Sequence, residues 1–104
     1  MRLEIHGVNY GLNDDLKAHI ERRLHFALGR LAARIDRVTV RLTDLNGPRG
    51  GVDKQCRILV NLVPKGVVML EGTGDDPFTL VDRAAKRVGR SVRRALERRR
   101  RVTA

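Results

Sequence analysis

Tryptophan is absent from this 104-residue chain, and the aromatic residues number three: Tyr10, Phe26 and Phe78. Modules that grip single-stranded nucleic acid stack bases on aromatic side chains displayed along strands, and no strand interior read below carries one. The composition therefore favours recognition of backbone shape and charge in folded RNA. Cys56 is the lone cysteine, which excludes an intramolecular disulfide. No apolar run approaches the length of a membrane span. The opening Met1-Arg2-Leu3-Glu4-Ile5-His6 is broken by Glu4 and His6 where a signal peptide would be continuously apolar. A cytoplasmic location is expected.

The residues that carry chemistry are as sparse. His6, His19, His25 and Cys56 form no His-x3-His, Cys-x2-Cys or HExxH arrangement, so no metal site is expected. Cys56 falls on the apolar side of a strand with Ile58 and Val60, as a buried structural thiol would. The carboxylate pairs Asp14-Asp15 and Asp75-Asp76 both sit at helix starts, where capping and the helix dipole account for them. The glycine-rich stretch Asn46-Gly47-Pro48-Arg49-Gly50-Gly51 lacks the lysine and hydroxyl of a P-loop and joins two strands instead of opening a helix. Its Gly47-Pro48-Arg49-Gly50 matches the GXXG clamp of KH domains, but that clamp lies between two helices. With no catalytic set, the chain does not read as an enzyme, and no cofactor or small-molecule substrate is expected.

Acids are scarce too: 12 against 22 lysines and arginines, a net charge of +10. Such an imbalance opposes compaction and marks a polyanion binder. Arginine dominates the basic residues, which favours planar, bidentate phosphate contacts. The length suits a single domain over 1–104, large enough for a two-layer core.

Hydropathy patterning predicts the elements. Arg2 to Val8 alternate as a half-buried strand, and Gly7 and Gly11 bracket a turn. Asn13 caps a helix carrying Leu16, Ile20, Leu24, Ala27, Leu28 and Leu31 on one face, to about Leu31. Val38, Val40 and Leu42 mark a second strand; Cys56, Ile58, Val60 and Leu62 a third. Pro64-Lys65-Gly66 turns the chain into a fourth strand, Val67 to Gly72, giving a hairpin. Asp76-Pro77 starts the last helix, since aspartate caps and proline suits the first helical position. That helix runs to about Arg98, with a basic tail over 98–104. The order β-α-β-β-β-α is an α+β fold: a four-stranded sheet with both helices packed on one face.

The last helix carries the strongest functional signal. Val81, Ala84, Ala85, Val88, Val92 and Ala95 share one face, and Arg83, Lys86, Arg87, Arg90, Arg93 and Arg94 the other. From Arg83 to Arg101 the sole acid is Glu97. A solvated face would mix signs, whereas like charges at i, i+4 such as Arg83/Arg87 and Arg90/Arg94 each cost roughly a few tenths of a kcal/mol. A helix that accumulates this cost is reading a negative ligand. Arg49 and Lys54, in and beside the glycine-rich loop, would let that loop touch phosphate as well.

Taken in order, these segments resemble the ribosome hibernation promoting factors, also called ribosomal subunit interface or ribosome-associated inhibitor proteins. The likeness runs through Leu3-x-Ile5-x-Gly7-x-Asn9, the leucine-spaced helix, Ile35-x-x-Val38-x-Val40-x-Leu42, Leu70-Glu71-Gly72, Asp75-Asp76-Pro77-Phe78 and Val81-Asp82-x-x-Ala85. It covers nearly the whole chain. The resemblance implies a domain similar to double-stranded RNA-binding domains, and no enzymatic activity. It further implies binding to the small ribosomal subunit near the decoding centre, over the messenger and transfer RNA sites, silencing translation under stress. Carried to this chain, Lys86, Arg87, Arg90, Arg93 and Arg94 would contact ribosomal RNA, with Arg83 and Arg98 nearer the helix ends. It also implies a short form without the dimerisation domain of longer members. The insert Val52-Asp53-Lys54 departs from the family pattern. Two other readings remain open on the residues: a general binder of structured RNA, and a membrane-surface protein anchored by the basic amphipathic helix.

Overall fold

The computed structural model describes residues 1–45 and 54–103, with side chains through residue 100. The elements follow the expected order: β1 (Arg2–Val8), α1 (Asp14–Leu28), a 3-10 segment (Gly29–Arg34), β2 (Ile35–Asp44), β3 (Lys54–Leu62), β4 (Val67–Gly74) and α2 (Pro77–Thr103). The strands form one sheet in the order β1-β2-β3-β4. β1 runs parallel to β2, and the other pairs are antiparallel.

Register explains why one sheet face is apolar. Ile5, Val40, Ile58 and Leu70 lie side by side across the four strands, flanked by the row Leu3, Val38, Val60 and Val68. Strand side chains alternate between faces, so these rows point together at the helices and the intervening residues point away. Leu16, Ile20, Leu24 and Leu28 of α1 and Leu80, Val81, Ala84, Ala85, Val88 and Val92 of α2 are buried in the same core. Each buried leucine or valine contributes about 1.5–3 kcal/mol, several times the cost of one like-charge pair on the far side of α2. Docking therefore outweighs the arginine repulsion. It also consumes the apolar face that a membrane anchor would need.

Both helix starts are capped as their sequences predict. Asn13 Oδ1 accepts from the Leu16 amide at 2.8 Å. Asp76 accepts from the Phe78 amide at 3.1 Å and from the Thr79 hydroxyl at 2.9 Å. The ends differ from expectation. α1 stops at Leu28 and tightens into the 3-10 segment at Gly29, a weak helix former. α2 continues to Thr103 instead of giving way to a tail at Arg98, because arginine is a good helix former and no glycine or proline intervenes. Gly7 lies inside β1, as the Arg2 to Val8 alternation predicts. A Cβ there would stand 2.4 Å from the Tyr10 carbonyl oxygen, so the returning chain needs its bare backbone. The Gly47-Pro48-Arg49-Gly50 pattern, Arg49 included, lies outside the described residues.

Candidate nucleic-acid interface

α2 lies on the sheet with Arg83, Lys86, Arg87, Arg90, Arg93, Arg94 and Arg98 all exposed. Among the described residues, none of these seven is held by an ion pair or hydrogen bond. Four cations elsewhere in the fold are paired with acids. Arg57 binds Glu71 at 2.6 Å, Arg37 meets Glu4 at 3.4 Å, and Arg23 Nε lies 3.1 Å from Asp82 Oδ1. Lys54 sits 3.6 Å from Asp44 and 5.9 Å from the centre of the Tyr10 ring, so its ammonium is engaged at the sheet end. Among the described residues, α2 thus gathers seven unpaired cations on a single helix.

What the sequence presents as one stripe divides in the fold into two flanks. On the β4 side, Arg87, Arg90 and Arg94 line a depression of about 340 Å³ with Leu70 and Ser91. Arg83 and Arg87 line a second, of about 230 Å³, with Gly72, Thr73 and Leu80. The glycines of β4 make this room: a Cβ on Gly74 would come within 2.9 Å of Arg83 Nη2.

On the α1 side, Lys86 and Arg93 face a seam between the helices. One end is closed by Asp82, whose Oδ1 lies 2.6 Å from His19 Nε2 as well as against Arg23. The His19 ring packs on Phe78 with centroids 5.1 Å apart. Further along, Arg30 and Arg34 join Arg93, Arg99 and Arg100 around a shallow depression of about 690 Å³. Arg99 is a clamp: it donates to the carbonyls of Val63, at 3.2 Å, and Lys65, and so ties the β3–β4 turn to α2.

Sequence reasoning missed Arg23, Arg30 and Arg34. A signal existed, since His19, Arg23, Phe26 and Arg30 recur at helical spacing beside the buried stripe of α1. The remaining chemistry is inert. Burial pushes the Cys56 thiol up to about 12, so it stays protonated and unreactive. Among the described residues no three His, Cys, Asp or Glu side chains converge as a metal site. No described helix is long and apolar enough to cross a membrane.

An exposed arginine face held rigidly on a sheet can bind phosphates in register, with guanidinium forks offering paired N–H donors. The family model described as "Sigma 54 modulation protein / S30EA ribosomal protein" matches residues 3–100. Among solved structures, the N-terminal domain of Protein Y from Thermus thermophilus is 26% identical with a TM-score of 0.69, covering 90% of this chain and 98% of that one. A ribosomal subunit interface protein from Coxiella burnetii superposes with a TM-score of 0.76 at 16% identity, covering 93% of this chain and 99% of that one. The second likeness speaks for the fold alone. No curated protein matches.

Proposed function

Because the chain belongs to the Sigma 54 modulation protein / S30EA ribosomal protein family, we propose that it is a ribosome-associated hibernation factor that binds small-subunit ribosomal RNA near the decoding centre. It acts by occupancy and not by chemistry. Bound there, it covers the sites of messenger and transfer RNA and silences translation under stress. A ribosome-bound factor works in the cytoplasm.

The observation that carries this reading is the set of seven unneutralised cations on α2. Each cation that meets a phosphate releases condensed counterions, so binding draws free energy from the entropy of those ions and weakens steeply as salt rises. The sheet beneath α2 sets the spacing of these cations before any RNA arrives. Arg83, Arg87, Arg90 and Arg94 reach toward β4, Lys86 and Arg93 toward α1, and Arg98 completes the exposed face.

Co-sedimentation with purified small subunits and whole ribosomes at physiological salt tests the proposal. The wild type is expected in the ribosomal pellet, and the variant R87E/R90E/R94E in the supernatant. Pelleting of that variant like the wild type would remove α2 as the site. Equal affinity for ribosomes and random duplex RNA would make the protein a general RNA binder.

A further inference from the structure

The most exposed large apolar side chain among the described residues is Phe26, at 86%. The other two aromatic residues have partners: Phe78 packs on His19, and Tyr10 lies under Lys54. Phe26 stands beside the α1–α2 seam, at a cavity of about 170 Å³ lined also by Arg23, Ala27, Ala85, Lys86, Gly89 and Arg93. We propose that this cavity is a subsite for one unpaired nucleobase, stacked on the Phe26 ring while Lys86 and Arg93 hold the flanking phosphates. The inference rests on the reading that the ligand is RNA, and adds to it a contact with a base where composition favours backbone and charge alone.

Three features of the cavity select this occupant. Its floor is made of Ala27, Ala85 and Gly89, small residues that leave a flat apolar surface beside the ring. At about 170 Å³ it is smaller than the roughly 300 Å³ where pockets for whole small molecules begin, and so suits a single planar ring system. Its rim is cationic, with Arg30 in the adjoining depression adding to Lys86 and Arg93. An apolar protein partner seated on Phe26 would have to desolvate these charges, whereas a nucleotide supplies the phosphates that neutralise them. Aromatic stacking with cations along the backbone is the general means of holding an unpaired base.

Phe26 is nearly free of the core, so its substitution should leave the melting temperature unchanged, which is checked first. Stacking on one base corresponds to a binding change of roughly 5- to 150-fold. F26A and F26L should bind ribosomes more weakly by that factor, and F26W should bind like the wild type. The chain has no other tryptophan, so the F26W fluorescence reports the site alone. It should be quenched by ribosomes and by an RNA hairpin with one bulged adenine, and not by the fully paired hairpin. Wild-type affinity in F26A, or unquenched F26W on saturating ribosomes, overturns the subsite. So does wild-type affinity in F26L beside weak F26A, which would mark an apolar protein contact. Should the wild type fail to bind ribosomes, the ribosomal reading falls by itself and the bulged hairpin still decides the subsite.

Discussion

Gly89 of α2 meets Ala27 of α1 so closely that a Cβ on the glycine would stand 3.2 Å from the Ala27 carbonyl oxygen and 3.4 Å from its Cβ. This contact sets the distance between the helices, and through it the width of the seam that Lys86, Arg93 and Arg23 border. Leucine at position 89 should force the helices apart and cost about 1–3 kcal/mol, as overpacking does. Each kcal/mol should lower the melting temperature of a domain this size by about 4–8 °C. G89A is expected near neutral, since the tight contact offsets the better helix propensity of alanine. A G89L protein that melts like the wild type would show that some other contact spaces the helices.

Asp82 shares its carboxylate between His19 and Arg23. Its side chain is 42% exposed, so screening limits what these pairs contribute. Asp82→Ala should cost at most about 1 kcal/mol of stability. It should also release Arg23 and raise the net charge by one, tightening ribosome binding a few-fold and steepening its salt dependence. Weaker binding would mean that Asp82 positions Arg23 for the ligand.

Much of this was legible in the sequence. The alternation Val38, Val40, Leu42 and the Asp76-Pro77 start are local signals, and the strands and helix fall where those signals place them. The arginine face of α2 was legible for the same reason, because helical spacing alone assigns it. The split of that face into two flanks was not, since it depends on β4 lying to one side and α1 to the other. Nor could spacing separate Arg98, exposed, from Arg99, which turns to the Val63 and Lys65 carbonyls. Helical spacing places Phe26 off the buried stripe of α1, but that it stands at the α1–α2 seam depends on how the two helices pack.

Stability should fall in alkali through Cys56. Its thiol is pushed from 9.0 up to about 12 by burial in the folded protein. Between those values the unfolded chain releases the proton and the folded chain keeps it, so the folded state binds more protons and loses stability as pH rises. Below pH 9 the group contributes no slope. The full loss is on the order of 4 kcal/mol by pH 12. Because alkali acts on the whole chain, the measurement is the difference between the wild type and Cys56→Ala in urea unfolding from pH 8 to 11. Parallel curves would show that the thiol is not held protonated. In native buffer the wild type should resist thiol reagents, and react fully in urea.

Arg99 and Arg90 should separate stability from binding, though both belong to the same arginine-rich helix. Arg99 donates to two carbonyls of the β3–β4 turn, and Gly66 in that turn, at φ +111°, leaves room that a Cβ would close to 2.7 Å from Arg99 Nη2. Removing the donor strands those carbonyls and frees the turn, so R99A should lose about 1 kcal/mol of stability. Its ribosome affinity should change little. Arg90 is exposed and bonded to nothing among the described residues. R90A should therefore melt within about 0.5 kcal/mol of the wild type, as surface substitutions do. If Arg90 meets one phosphate, the slope of log affinity against log salt should shrink by about one unit. Urea unfolding and ribosome binding at several salt concentrations, run on both variants, read the two effects independently. The reverse pattern, a stable R99A that binds poorly and an unstable R90A that binds normally, would exchange the structural and ligand-binding roles assigned to the two side chains.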